Sequence, residues 1–413
     1  MAYWLHLSHV FKLMTFIRNI IILCLAFCTV STLSAQPFKT VGYLLTDHFE
    51  TIESIRLDQL THLNIAFANP DMEGNLMTDG VSIDEVIKKA HTENVEVFIS
   101  LAGASAQLTD WQDRITPDGR PTFIHGIIRY VYQHQLQGVD VDLEWDNVND
   151  DYSGFVVALK DSLAHHGFKL TAALPGGYRY PQITSEALAA FDWINLMVYD
   201  LTGPWTPNDP GPHSPYSYAV SSIDYWTQQG LTKDRMTLGV PFYGYDFTNP
   251  DHIVSVTYGD MVTRDSAYAQ TDQVGAIYYN GLPTITDKTK LALHETGGVM
   301  IWEIGQDQAG SLSLLRRIAE TISAFNLTSN YTATDISKIT LYPNPANDVL
   351  QIKMEDPKNL KITLYSQSLR LLRTSHYMQQ SELSVDLSLY PKGTYFVIVE
   401  SGSLKRTFTI LKL

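Results

Sequence analysis

Three carboxylates recur at every second position in "QGVDVDLEW" (137–145): Asp140, Asp142 and Glu144. In a strand, alternate residues share one face, so all three would point the same way, with backbones roughly 6–7 Å apart. Their spacers Val139, Val141 and Leu143 would face apolar packing on the other side. Three acids so close in a partly dry interior cannot all ionise cheaply, so one proton is shared and at least one pKa rises. An acid that stays protonated near neutral pH is what general acid catalysis requires. Two other uses of such a row exist, the wet face of an edge strand and a hard-cation site. The neighbouring runs are apolar on both faces, which argues against an edge, and the strand lacks the Gly turns and Asn of calcium loops.

Strand-like runs able to surround this one are "KTVGYLL" (39–45), "HLNIAFA" (62–68), "VEVFISLAG" (95–103), "KLTAALP" (169–175), "WINLMVYD" (193–200), "MTLGVPFYG" (236–244) and "GVMIWEIG" (298–305). Between them, stretches such as "SIDEVIKKAHTE" (82–93) and "YSGFVVALKDSLAHHG" (152–167) carry apolar residues at helical spacing. Eight buried strands alternating with helices over roughly 290 residues fit a (β/α)8 barrel, with a doubly wound open sheet as the alternative. In a barrel the acids would climb the interior of the fourth strand. Glu144 would then be highest, at the C-terminal mouth where active sites form.

The rest of the chain frames an exported protein. Lys12 and Arg18 precede the apolar run "IIILCLAFCTV" (20–30), followed by small residues. That is the order of a signal peptide over 1–35 with cleavage after Ala35, and Met14 is an alternative start. Cys24 and Cys28 lie inside it, so the mature protein would hold neither disulfide nor thiolate metal site. No His, Cys or acid cluster has metal-ligand spacing, and no cofactor or metal is expected. The formal charge of −15 disfavours nucleic acid and anionic membranes as partners and suits a neutral polysaccharide. Residues 36–335 carry 17 basic against 38 acidic residues, whereas 336–413 carry 10 against 6. Two regions so different read as two domains: a catalytic domain over 36–325 and, after a polar linker at 326–335, a small all-β sandwich over 336–413.

The acidic stretch resembles the signature of glycoside hydrolase family 18, the chitinase family, written D-G-x-D-x-D-x-E. Gly138, Asp140, Asp142 and Glu144 match it, and Gln137 stands in place of the first acid. "SLAG" (100–103) resembles the family's third-strand S-x-G-G with Ala102 for a glycine. "MVYD" (197–200), "LGVPFYGYDF" (238–247) and "GVMIWEIGQD" (298–307) resemble the sixth, seventh and eighth strand ends. The similarity spans about 38–320, in family order. It implies substrate-assisted hydrolysis without a carboxylate nucleophile. Glu144 would be the acid/base, and the sugar's own N-acetyl carbonyl would attack the anomeric carbon. Asp142 would orient the acetamide, with Asp140 sharing its proton beneath. Tyr199 would donate to the acetamide oxygen, Asp200 would bind the distorted sugar, and Trp302 would form its floor. Tyr43, Phe67, Met197 and Tyr243 would complete the substrate-binding wall. The resemblance further implies non-proline cis peptides at Ala66–Phe67 and Trp302–Glu303.

The departures carry their own expectations. Gln137 would weaken pKa tuning and Ala102 would add only a methyl. The segment 248–297 would be short for an α+β insertion walling the groove, leaving a shallow, endo-acting cleft. The C-terminal region resembles the sorting tail of the type IX secretion system through "LYPNPANDVLQI" (341–352), "LSLYPKGTYFVIV" (387–399) and "KRTFTILKL". A carbohydrate-binding sandwich is the competing reading, disfavoured by the core-like alternation of Tyr365, Tyr390 and Tyr395. Taken together these imply a secreted or cell-surface, monomeric endo-chitinase whose partners are chitin, or another N-acetylglucosamine glycan, and the secretion machinery. The alternatives are a hydrolase of N-glycans or peptidoglycan, and a sugar-binding protein without turnover.

Overall fold

The computed structural model describes residues 38–413 apart from 79, 104, 105, 107–110, 337, 338, 368, 369, 402 and 403. The segment read as a signal peptide, with Lys12, Met14, Arg18, Cys24, Cys28 and Ala35, lies outside the described residues.

Eight parallel strands form the frame: β1 (Lys39–Leu45), β2 (His62–Pro70), β3 (Glu96–Ala102), β4 (Gly138–Asp142), β5 (Lys169–Pro175), β6 (Trp193–Met197), β7 (Met236–Pro241) and β8 (Gly298–Trp302). Each pairs with its sequence neighbours, and β1 pairs with both β2 and β8. That last pairing closes the sheet, so the chain is a barrel and not the open doubly wound sheet. Outward-facing Val139 and Val141 are fully buried beneath the helical layer. Helix α1 spans Asp84–Thr92, α2 Arg120–Gln133 and α3 Tyr152–His165. In α3 the buried Phe155, Leu159 and Leu163 repeat every fourth residue, the stripe a helix needs to lie on a sheet.

The inside of the barrel departs from the branched apolar filling usual for this architecture. Ser100, Asp140, Thr171, Asn195 and Thr237 are all fully buried there, a polar layer contributed by five strands. Gly138 opens the acidic strand because a Cβ would lie 2.6 Å from the Phe98 ring and 2.7 Å from the Lys169 carbonyl.

Between β7 and β8 the chain builds a four-stranded antiparallel sheet from Tyr243–Asp246, Val254–Thr257, Gln273–Val274 and Ile277–Tyr278, plus the helix Tyr258–Arg264. The expectation that this segment is too short for an α+β insertion is therefore corrected. Strands of two to four residues suffice, since the sheet packs on the barrel mouth through Tyr243, Tyr245 and Phe247. Helix α4 (Leu282–Glu295) then leads into β8. The final barrel helix, α5 (Leu314–Ile336), starts where Asp307 accepts the Leu314 and Leu315 N–H groups. The polar stretch read as a linker continues as the end of this helix.

The C-terminal region is all antiparallel β: β9 (Thr340–Tyr342), β10 (Val349–Ser366), β11 (Leu371–Asp386), β12 (Gly393–Ser401) and β13 (Leu404–Lys412). β10 is long enough to serve two partners on one edge. Its start pairs with β9, and after register irregularities between Lys353 and Leu360 its end pairs with β12. Leu350, Ile352, Leu360, Ile362, Leu364, Val397 and Val399 alternate into a separate core. Tyr395 is buried in it and Tyr390 packs against it, so these rings do not make an exposed aromatic row.

Candidate active site

The floor of the site is an anchored carboxylate. Asp140 Oδ2 accepts from the Tyr43 hydroxyl at 2.7 Å and the Ser100 hydroxyl at 2.8 Å. Its Oδ1 accepts from Thr171 at 2.6 Å and Asn195 Nδ2 at 3.2 Å. The orientation of Asn195 follows from its other contacts, since its Oδ1 receives Trp193 Nε1 at 3.1 Å and Thr237 Oγ1 at 2.7 Å. The amide N–H groups must then face Asp140 and Tyr43. Burial pushes the Asp140 pKa up, and these four donors pull it back.

Asp142 stands one step nearer the mouth in the opposite condition. It is 3% exposed, and its Oδ1 is buried without a hydrogen-bond partner. Burial first, then the charges of Glu144 and Asp140, hold its pKa well above the usual carboxylate range. Both shifts run upward, and the larger one, on the carboxyl with the unpartnered oxygen, makes Asp142 the member of the row that holds a proton more readily than Asp140. Glu144 follows at the end of the row, its pKa raised to about 7 by burial and then by the charge of Asp200. A carboxyl group so tuned carries a proton at neutral pH and can give it up.

Above these acids lies a cavity of about 620 Å³ lined by Leu45, Phe67, Asp142, Glu144, Trp145, Met197, Tyr199, Asp200, Trp205 and Trp302. Trp302 stacks on Phe67 at 5.6 Å between ring centroids and tilts against Tyr43 at 5.5 Å. Room for this stack comes from Gly103, at φ +78°, where a Cβ would fall 2.5 Å from the Phe67 ring. The Tyr199 hydroxyl has the Met300 sulfur at 3.9 Å as its contact. A thioether is a weak acceptor, so this hydroxyl keeps its donor capacity at the cavity wall. Asp200, at φ +66°, turns the chain after β6 and accepts from the Tyr243 hydroxyl at 2.5 Å and the Tyr245 hydroxyl at 3.1 Å. Both anticipated non-proline cis peptides, Ala66–Phe67 and Trp302–Glu303, are present.

The sequence-derived residues thus divide into two tiers. Glu144, Asp142, Tyr199, Asp200, Trp302, Met197 and Phe67 line the cavity. Asp140, Tyr43 and Tyr243 stand behind them as hydrogen-bonding support, Tyr43 being 1% and Tyr243 5% exposed. Gln137 belongs to neither tier. Its side chain accepts from the Val97 N–H at 2.7 Å, contacts His91 Nε2 at 3.0 Å and donates to the Gln135 carbonyl. It ties α1 to the start of β3, so the weakening of pKa tuning expected from this position has no structural basis.

Sequence reasoning missed Trp145 and Trp205, which are 70% and 55% exposed. Trp145 directly follows Glu144, at φ +53°, and also borders a second hollow of about 820 Å³ lined by Tyr178 and Tyr180. Trp205 lies in "LTGPWTPNDPGPHS" (201–214), and a tryptophan amid so many turn residues has no core to join, a signal that could have found it. Among the described residues there is no cluster of three or more potential metal ligands.

A closed (β/α)8 barrel with an acidic strand rising to an aromatic-walled cavity at its C-terminal mouth defines the glycoside-hydrolase class of site. The comparisons place the chain within that class: the family model "Glycosyl hydrolases family 18" matches residues 39–307, and the protein belongs to that family. The model "Secretion system C-terminal sorting domain" matches residues 340–412, so the chain carries an export signal at its C-terminal end. Among solved structures, the family 18 chitinase ChiB from the chitin utilization locus of Flavobacterium johnsoniae is 47% identical with a TM-score of 0.68. That match covers 70% of this chain and 95% of the other. A chitinase from Bacteroides thetaiotaomicron is 29% identical with a TM-score of 0.61, over 69% of this chain and 96% of that one. A class V chitinase of Arabidopsis thaliana is 24% identical over 349 residues, 70% of this chain and 91% of the relative.

Proposed function

We propose that this protein is a secreted chitinase that cleaves β-1,4 linkages between N-acetylglucosamine units with retention of configuration. The observation that carries the reading is the graded row on β4. Asp140 accepts hydrogen bonds from four side chains, Asp142 is buried with an unpartnered oxygen, and the Glu144 pKa is raised to about 7 at the cavity. Glu144 donates its proton to the glycosidic oxygen as the bond breaks. The acetamido carbonyl of the sugar over Trp302 closes on the anomeric carbon, and the Tyr199 hydroxyl holds that carbonyl in line. Asp142 turns its proton toward Asp140, which leaves negative charge facing the acetamide nitrogen of the oxazolinium ion. Water, deprotonated by Glu144, then opens the ring from the face the leaving group vacated, so two inversions give net retention.

Endo action is supported by a second hollow that shares Trp145 with the cavity, where Trp145 and Tyr178 offer apolar rings to further sugars. The test uses the full chain with a chitin hexamer, resolving product lengths and anomers at early times. Short oligomers appearing first as the β-anomer support the reading, and a folded protein that leaves the hexamer intact overturns it. Glu144→Gln should abolish turnover while keeping hexamer affinity, which separates an enzyme from a sugar-binding protein.

A further inference from the structure

His213 is 1% exposed and lies in no strand or helix, yet it touches the residue that shapes the rim of the cavity. Its Nδ1 faces Asp200 Oδ1 at 3.4 Å and its Nε2 faces the Tyr243 carbonyl at 3.1 Å. Its ring packs on Tyr243 and Tyr245, at 4.9 and 5.2 Å between centroids. These are the two tyrosines whose hydroxyls donate to Asp200. One buried ring therefore backs the whole set of groups that hold that carboxylate.

The stem around His213 is stapled as firmly. The Leu201 N–H donates to the His213 carbonyl at 3.0 Å, and Thr202 donates to the Gly211 carbonyl at 2.6 Å. Ser214 donates to the Val198 carbonyl at 2.5 Å. Beneath it the fully buried Lys288 of α4 donates to the Ser214 carbonyl, the Ser214 hydroxyl and Asn280 Oδ1, at 2.7, 2.6 and 2.7 Å. Three acceptors match the three donors of the protonated amine, while burial lowers the Lys288 pKa to about 7. This clamp fastens the loop that carries both Asp200 and Trp205 to the insertion between β7 and β8.

We infer that His213 is a positioning residue, which holds Asp200 at the cavity rim while Lys288, through Ser214, locks the loop stem on which both stand. The inference rests on the hydrolase reading for its kinetic consequence. The charged and titratable groups around the ring are Asp200, Tyr243, Tyr245 and Lys288. Burial first, and then the Lys288 charge, lower the His213 pKa against the pull of Asp200. A ring so shifted is neutral at neutral pH and has one N–H for two facing acceptors, so the tautomer that holds Asp200 carries its proton on Nδ1, and the Tyr243 carbonyl is then a contact without a hydrogen bond. The Asp200 charge is what supplements burial in keeping Glu144 protonated. A permanently cationic partner would steady Asp200 and cancel its field at the same time. A neutral imidazole steadies it and leaves the field intact.

The test compares the full-length protein with His213→Ala and His213→Gln by hexamer affinity, by the pH profile of kcat/KM and by thermal unfolding. His213→Ala should weaken hexamer binding by about tenfold, the effect of losing one hydrogen bond to a charged group, and move the alkaline limb to lower pH. His213→Gln, a neutral donor of similar reach, should restore most of both. An Ala variant that melts lower but keeps its affinity and its alkaline limb overturns the inference, as does a Gln variant that rescues neither. If the parent binds the hexamer without cleaving it, the hydrolase reading falls, and the affinities alone decide the role of His213. A parent that does not bind it overturns both.

Discussion

Asp140 accepts hydrogen bonds from four side chains, whereas Oδ1 of Asp142, its neighbour on the same face of β4, is buried with no donor. This asymmetry favours Asp142 over Asp140 as the carboxyl that keeps a proton. A carboxylate that accepts from Tyr43, Ser100, Thr171 and Asn195 is stabilised as an anion, and the charge so fixed raises the acid next to it. Thr171→Val deletes one of the four donors at nearly constant volume. It should lower stability by about 1–3 kcal/mol, read by urea unfolding at pH 7. Asp142→Asn keeps the shape of the protonated acid and forbids the transfer. It should cut kcat by about 100-fold or more with little change in melting temperature.

Activity should fall as pH rises through about 7, because Glu144 acts as an acid and its pKa lies there. Stability follows the same group with a definite sign. The folded protein holds the Glu144 proton more tightly than the unfolded chain, whose carboxyl titrates near 4.5, so ionising Glu144 costs stability as pH rises from 4.5 through 7. Glu144→Gln removes that cost. The variant should be more stable than the parent at pH 8, by on the order of 3 kcal/mol, with the gain vanishing at pH 4. Equal melting temperatures for parent and variant at pH 8 would contradict the assignment.

Ala102 has φ +82° and is fully buried at the end of β3. A left-handed backbone costs an L-residue about 1–2 kcal/mol, which glycine avoids, though glycine gives back part of this through its unfolded-state freedom. The substitution is thus more than one added methyl. Ala102→Gly should raise stability by about 1 kcal/mol without altering kcat, measured by denaturant midpoint and hexamer turnover. A lower midpoint would show that the Ala102 methyl packs well enough to outweigh the strain.

Trp145 and Trp205 are too exposed to contribute much to the core. Replacing either with Ala should leave the melting temperature within about 1 °C, since surface changes outside the core cost little. Trp205→Ala, at the cavity itself, should weaken binding of every oligomer. Trp145→Ala should weaken a hexamer more than a trimer, because Trp145 also lines the 820 Å³ hollow. A Trp145→Ala loss equal for both lengths would remove that hollow from the binding groove.

The legible part of this protein was local. Period-two acids, the glycine before them and eight alternating runs specify a strand with its face, a barrel, and Glu144 at the mouth, because strand geometry ties side-chain direction directly to sequence parity. The same parity reveals why Gln137 is a bystander to the acids. It is out of phase with Asp140 and Asp142, and its amide serves the outer layer. Length misleads at the β7–β8 insertion, where two-residue strands and one short helix are enough to build a subdomain.

By itself the sequence determined the family of fold, the residues of the acidic row and the tail with its sorting motif, since each is written in spacing along one segment. Only the tertiary structure decided how the protons are shared and what surrounds the sugar. The donors to Asp140 come from four strands other than its own, at separations of 31 to 97 residues. Trp205 and His213 reach the site on a loop that carries no periodic signal. Charge state depends on burial and on neighbours in space, and those neighbours meet only when the barrel closes.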